Sequence, residues 1–198
     1  TVLLGLGASL KFFEKSKPSH RLLSEGIMIG LPAVIIGAYS ISFINENLAR
    51  QFLGLLILLV FFLSLTKSHN QDRTKPNPLI VYPLLFIIGF LNGSLSAGTG
   101  LLYTLLLTKL YGYTYKEAIG YTLLVVGLFY NLVGAIVLYL ISSIDISILP
   151  ILLLGSFAGG YVGAMVAIKK SNVLIKSAYQ LVTLIVAVSY THLTLPTM

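Results

Sequence analysis

GFLNGSLSAGTGLLYTLLL, residues 89–107, is apolar enough to lie in a membrane, yet its centre holds glycines, an asparagine and a cluster of hydroxyls. A simple spanning helix needs none of these. The apolar run containing this stretch extends over residues 79–110, and a break at its centre leaves two legs of about 15 residues. Such a leg makes about 22 Å of helix, short of the roughly 30 Å hydrocarbon core. The expectation is a re-entrant hairpin that enters the bilayer and returns, with its tip near Asn92–Gly100 close to mid-membrane.

The rest of the chain supports a membrane solvent. Of 198 residues, 57% are hydrophobic and 10% charged, and helix-length apolar runs recur at 22–43, 49–66, 117–141, 147–168 and 174–190, with a shorter one at 1–13. This composition defines an all-α polytopic membrane protein, and the lack of strand alternation excludes a barrel. There is no cysteine, hence no disulfide and no thiolate chemistry. The net charge of +7 comes from lysines and arginines in short loops, where they set topology; no basic face for nucleic acid is present.

Charge counting gives orientation. The first connection carries Lys11, Lys15, Lys17 and Arg21, the second Arg50 alone, the third Lys67, Arg73 and Lys75. After the broken run come Lys109 and Lys116, then Asp145, then Lys169, Lys170 and Lys176. All lysine-rich connections fall on the cytoplasmic side only if 79–110 returns to the side from which it entered. A shift of 126 residues also lays Gly37-Ala38 on Gly163-Ala164 and Arg50 on Lys176. The expected architecture is two inverted repeats, each a re-entrant hairpin plus three transmembrane helices. Residues 1–66 form a truncated first repeat whose hairpin is missing, 67–78 a cytoplasmic basic loop, and 79–187 the second repeat. Projection of the repeat places about 45–50 further residues before Thr1. The segment VSYTHLTLPT resembles a translated sequencing adapter, so 188–198 are read as an artefact.

A hairpin break leaves backbone groups that must face protein or a polar cavity, and a helix N-terminus there favours an anion without a buried lysine. The expected substrate-binding residues are Asn92, Ser96, Gly98, Thr99, Gly100, Thr104, Thr122 and Asn131. Asn131 is open between interhelical glue and cavity wall, because an amide deep in a span needs partners of either kind. Gly89 and Gly93 are read as helix packing, as are Gly155, Gly159 and Gly163. No ionisable group lies deep in a span, and no paired carboxylates or metal-ligand spacing point to catalysis. No enzyme activity, cofactor or metal is expected.

From Pro83 to Val186 the chain resembles the sulfite exporter (TauE/SafE) family of membrane permeases. The likeness rests on GFLNGSLSAGTG, on GYTYKEAIGYT with Glu117, Ala118, Gly120 and Thr122, on GSFAGGYVGAMVA and on AIKKSNVLIKSAYQ; LLSEGIMIGLPAVIIGAY extends it into the first half. The resemblance implies a permease that moves sulfite, a sulfonate or another small organic anion across a bacterial or archaeal cytoplasmic membrane. The expected partners are a small anionic substrate and the lipid bilayer, with no nucleic acid; proton or ion coupling and oligomeric state stay open. The rival reading is a non-transporting structural or assembly subunit in which every glycine serves packing.

Overall fold

The computed structural model describes residues 1–14, 18–43, 46–65, 76–96, 98–141 and 149–194. The basic residues Lys15, Lys17, Lys67, Arg73 and Lys75, and also His69, Asp145 and Pro196, lie outside the described residues. All regular structure described is helical: α1 (Val2–Phe12), α2 (His20–Ser40), α3 (Glu46–Leu65), α4 (Pro78–Leu95), α5 (Thr99–Leu110), α6 (Tyr115–Thr122), a π-helical segment (Leu123–Tyr130), α7 (Asn131–Ile141), α8 (Leu149–Lys169) and α9 (Asn172–Thr194). From α6 to α7 the chain is one 27-residue rod, Tyr115–Ile141, and among the described residues five helices are long and apolar enough to cross a membrane; α4 is one of them, whereas the expected legs are too short to do so.

The helix boundaries follow local chemistry. Asn77 caps α4 by accepting the Leu79 amide at 3.0 Å, and Pro78 occupies the first helical position, where its missing N–H is no loss. Thr114 and Glu117 form a reciprocal capping box at the start of α6. Glu117, the acidic residue of the family-like motif, is thus used as a helix cap. The two legs of the broken run measure 18 and 12 residues, not about 15 each. Unequal lengths result because the left-handed residue that ends α4 is Ser96, past the centre of the run.

Glycines set how closely these helices approach. On α4, a Cβ at Gly89 would stand 2.5 Å from the Gly30 carbonyl oxygen of α2, and one at Gly93 would collide with the Val34 carbonyl and lie 2.7 Å from the Ala38 amide. Backbone therefore touches backbone, which only glycine permits. The order of these contacts shows α4 running alongside α2 in the same direction. On α1, Gly5 meets the π-helical segment at Gly127 and Leu123, and Gly7 meets Phe157 of α8. The packing expected of Gly89 and Gly93 is present. At Gly155, Gly159 and Gly163 an added Cβ would meet nothing within 4 Å among the described residues; in this row it is Gly160 that takes the close contact, with Leu4 of α1.

Three connections gather at one end of the bundle. Tyr111, just after α5, donates to the Glu25 carboxylate at 2.9 Å, and Arg21 donates to the other Glu25 oxygen at 2.7 Å. Lys116 donates to the Ile168 carbonyl at 2.9 Å, and its amide donates to Asn172 at 3.2 Å. The chain thus leaves this end along α4 and comes back to it along α5. Arg21, Lys116, Lys169 and Lys170 share that end.

Candidate substrate site at the hairpin bend

The bend is built from two left-handed residues. Ser96 (φ 58°) closes α4 and Gly98 (φ 78°) opens α5. At Ser96 the conformation is strained, because a Cβ crowds the carbonyl there; at Gly98 it is not. No side chain caps α5. The amides of Thr99 and Gly100 are in its first turn, where no intrahelical acceptor exists, and the partial positive charge of the helix end is directed into the bend.

Behind this helix end lies a chain of side-chain hydrogen bonds. Thr99 Oγ1 donates to Asn92 Oδ1 at 2.7 Å, Asn92 Nδ2 donates to Asn131 Oδ1 at 3.3 Å, and Asn131 Nδ2 donates back to the Gly127 carbonyl at 3.3 Å. Asn92 and Thr99 are fully buried. Each amide keeps a second N–H beyond these bonds. Asn131 begins α7 well inside the 27-residue rod. The bend it meets consequently sits within the length of the bundle rather than at its edge.

A second polar pair flanks the first. Thr104 and Thr122 hydroxyls are 2.8 Å apart, Thr104 also approaches the Gly100 carbonyl at 2.8 Å, and Thr122 approaches the Ala118 carbonyl at 2.9 Å. Two hydroxyl protons cannot serve three contacts, so one threonine bonds its own helix while the other bonds across. A Cβ at Gly100 would lie 3.4 Å from Thr122 Cγ2, an ordinary contact, so α5 and α6 lie side by side here without requiring a glycine. The π-helical segment separates Thr122 from Asn131, and Gly127 within it approaches Gly5 of α1. Such widened turns occur often at functional sites.

Of the eight expected residues, Asn92, Thr99 and Asn131 form one network, Thr104 and Thr122 a second, and Gly98 and Gly100 shape the backbone between them. Ser96 is exposed at the bend and belongs to neither network. Asn131 bonds across helices, so it serves as interhelical glue whatever else it does. Two tyrosines outside the expected set also lie inside the bundle. Tyr130 donates to the Gly26 carbonyl at 2.7 Å, and Tyr103 is fully buried beside the same glycine, its hydroxyl without a hydrogen-bond partner among the described residues. A tyrosine in an apolar run carries no signal of where it points. At the end of the bundle, burial, and then the bond to Glu25, hold the Tyr111 hydroxyl above the usual phenol range.

These features define a helical, multi-pass membrane protein that keeps its polar groups at an interior bend. The chain belongs to the sulfite exporter TauE/SafE family, whose model matches residues 1–190. The family consists of membrane transporters of sulfur-containing anions, not enzymes. No curated protein and no solved structure matches the chain.

Proposed function

We propose that the protein moves a small anion, sulfite, a sulfonate or another small organic anion, by alternating access, and that the anion binds at the bend between α4 and α5. The observation that carries this reading is the uncapped start of α5 at Gly98, inside the bundle and beside the Asn92–Thr99–Asn131 network. A helix N-terminus stabilises an anion by roughly 0.3–1 kcal/mol when exposed and up to about 2 kcal/mol when partly buried. The spare amide protons of Asn92 and Asn131 are further donors suited to an oxyanion. Family membership supports the anionic substrate and leaves the structural-subunit reading without support.

The two-repeat architecture is part of the same proposal. The 126-residue shift lays α2 on α8 and α3 on α9, and it sets α1 on the end of the π-helical segment and α7. Reciprocal pairing supports it: α1 packs on α8 while α2 packs on α7, and α3 packs on α9. The hairpin α4–α5 is then the re-entrant element of the second repeat, in a cytoplasmic membrane.

The test is flux in vesicles that contain the full chain, comparing sulfite, a sulfonate and a short carboxylate, with and without a proton gradient. Thr99→Val preserves shape and removes the hydroxyl that bonds Asn92. The expected result is saturable flux of one anion class, lost in Thr99→Val while helicity and unfolding temperature stay close to the parent. Equal flux in the variant refutes the site; absence of flux for every anion from folded parent refutes the substrate class.

A further inference from the structure

Tyr103 stands on α5 four residues after Thr99, so it shares that residue's face of the helix and lies about 6 Å nearer the end of the bundle that carries Arg21 and Lys116. Its ring is fully buried and meets Tyr130 edge to face, with centroids 6.5 Å apart. Its hydroxyl has no hydrogen-bond partner among the described residues. The position facing that hydroxyl on α2 is Gly26, where an added Cβ would stand 2.8 Å from the oxygen. The Gly26 carbonyl is already engaged by the Tyr130 hydroxyl at 2.7 Å, and the core shared by both rings is built of hydrophobic side chains such as Leu22, Leu107 and Val125. Phenylalanine would fill the same space without burying an unpaired donor, which is costly in an apolar interior.

The hydroxyl is one of a series of donors along the seam between α2 and α5. Thr99 stands at the bend, Tyr103 follows against Gly26, and Tyr111 then bonds Glu25, the residue next to Gly26, whose other carboxylate oxygen accepts from Arg21. The tie between Tyr111 and Glu25 fastens the end of α5 to α2, and Tyr121 adds a second closure there by accepting the Ser19 amide at 2.8 Å. The seam is therefore shut at the lysine-bearing end, with Tyr103 behind the closure.

We infer that the seam between α2 and α5 is the route by which the anion passes between the bend and the lysine-bearing end, and that the Tyr103 hydroxyl binds it there once the Tyr111–Glu25 tie opens. The inference rests on the reading of the bend as an anion site. A phenol hydroxyl is a neutral donor, so it offers an oxyanion a hydrogen bond inside an apolar wall without the cost of burying a fixed charge.

The test is flux by the full chain in vesicles of one orientation, with sulfite, methanesulfonate and acetate offered in turn from each side, in the parent, Tyr103→Phe and Thr99→Val. A hydrogen bond to a charged group is worth about tenfold or more in affinity. Tyr103→Phe is expected to raise KM about tenfold for the transported anion offered from the lysine-bearing side and to leave KM from the opposite side unchanged. It should unfold at the parent's temperature or higher, because the hydroxyl it loses has no partner among the described residues. Parental KM on both sides overturns the inference and, while Thr99→Val still loses flux, leaves the bend as the site. An equal rise on both sides, or a lowered unfolding temperature, also overturns it, because the hydroxyl then serves the fold. A folded parent that moves none of the three anions overturns the reading of the bend and this inference together.

Discussion

Gly93→Ala tests the packing that positions the hairpin. The new methyl group meets backbone of α2, the Val34 carbonyl and the Ala38 amide, and neither can turn aside. At Ala38 the separation of 2.7 Å must grow to about 3.4 Å for ordinary contact, so α4 and α2 must part by at least about 0.7 Å. A gap of about 0.5–1 Å forfeits a quarter to a half of each affected dispersion contact. Overpacking of this kind costs roughly 1–3 kcal/mol. Alanine gains about 1 kcal/mol over glycine in helix propensity, which offsets part of that loss. The control is Gly159→Ala on α8, where an added Cβ meets nothing within 4 Å among the described residues, so only the propensity gain is expected there. Thermal unfolding in detergent should show Gly93→Ala lowered by several degrees and Gly159→Ala unchanged or raised. Equal destabilisation by both substitutions refutes the reasoning, because it requires the glycine face of α8 to be as tightly covered as that of α4.

Tyr111→Phe removes the bond that ties the end of α5 to Glu25, at an expected cost of about 1–2 kcal/mol in the same assay; no change shows that Arg21 alone satisfies the carboxylate. Ser96→Gly relieves the left-handed strain at the bend and should gain up to about 1 kcal/mol, net of the greater chain entropy of glycine. A loss there would show that the Ser96 side chain holds the bend. Cysteines at His20, the first residue of α2, and at Ser171, between α8 and α9, share one end of the bundle and should label from the same side of the membrane; labelling from opposite sides refutes the hairpin's return.

The amino-acid sequence by itself determined the solvent, the helices and the break. Apolar runs of span length, caps such as Asn77 and Thr114, and the lysine clusters are local features, and each reads the same wherever its helix is placed. The re-entrant hairpin is an expectation reached by elimination, since only its return brings the basic connections together, and it stands as part of the proposal. The tertiary structure decided which polar groups meet. Thr104 pairs with Thr122, and Asn92 with both Thr99 and Asn131, while Ser96, an equally good hydroxyl on the same bend, takes part in neither pairing. Likewise Gly93 lies against α2, whereas at Gly155, Gly159 and Gly163 an added Cβ meets nothing within 4 Å among the described residues. The physical reason is one of range. Periodicity and charge fix what a helix is made of, but the face it turns to a neighbour depends on rotation and crossing, which the packing of many distant side chains sets at once.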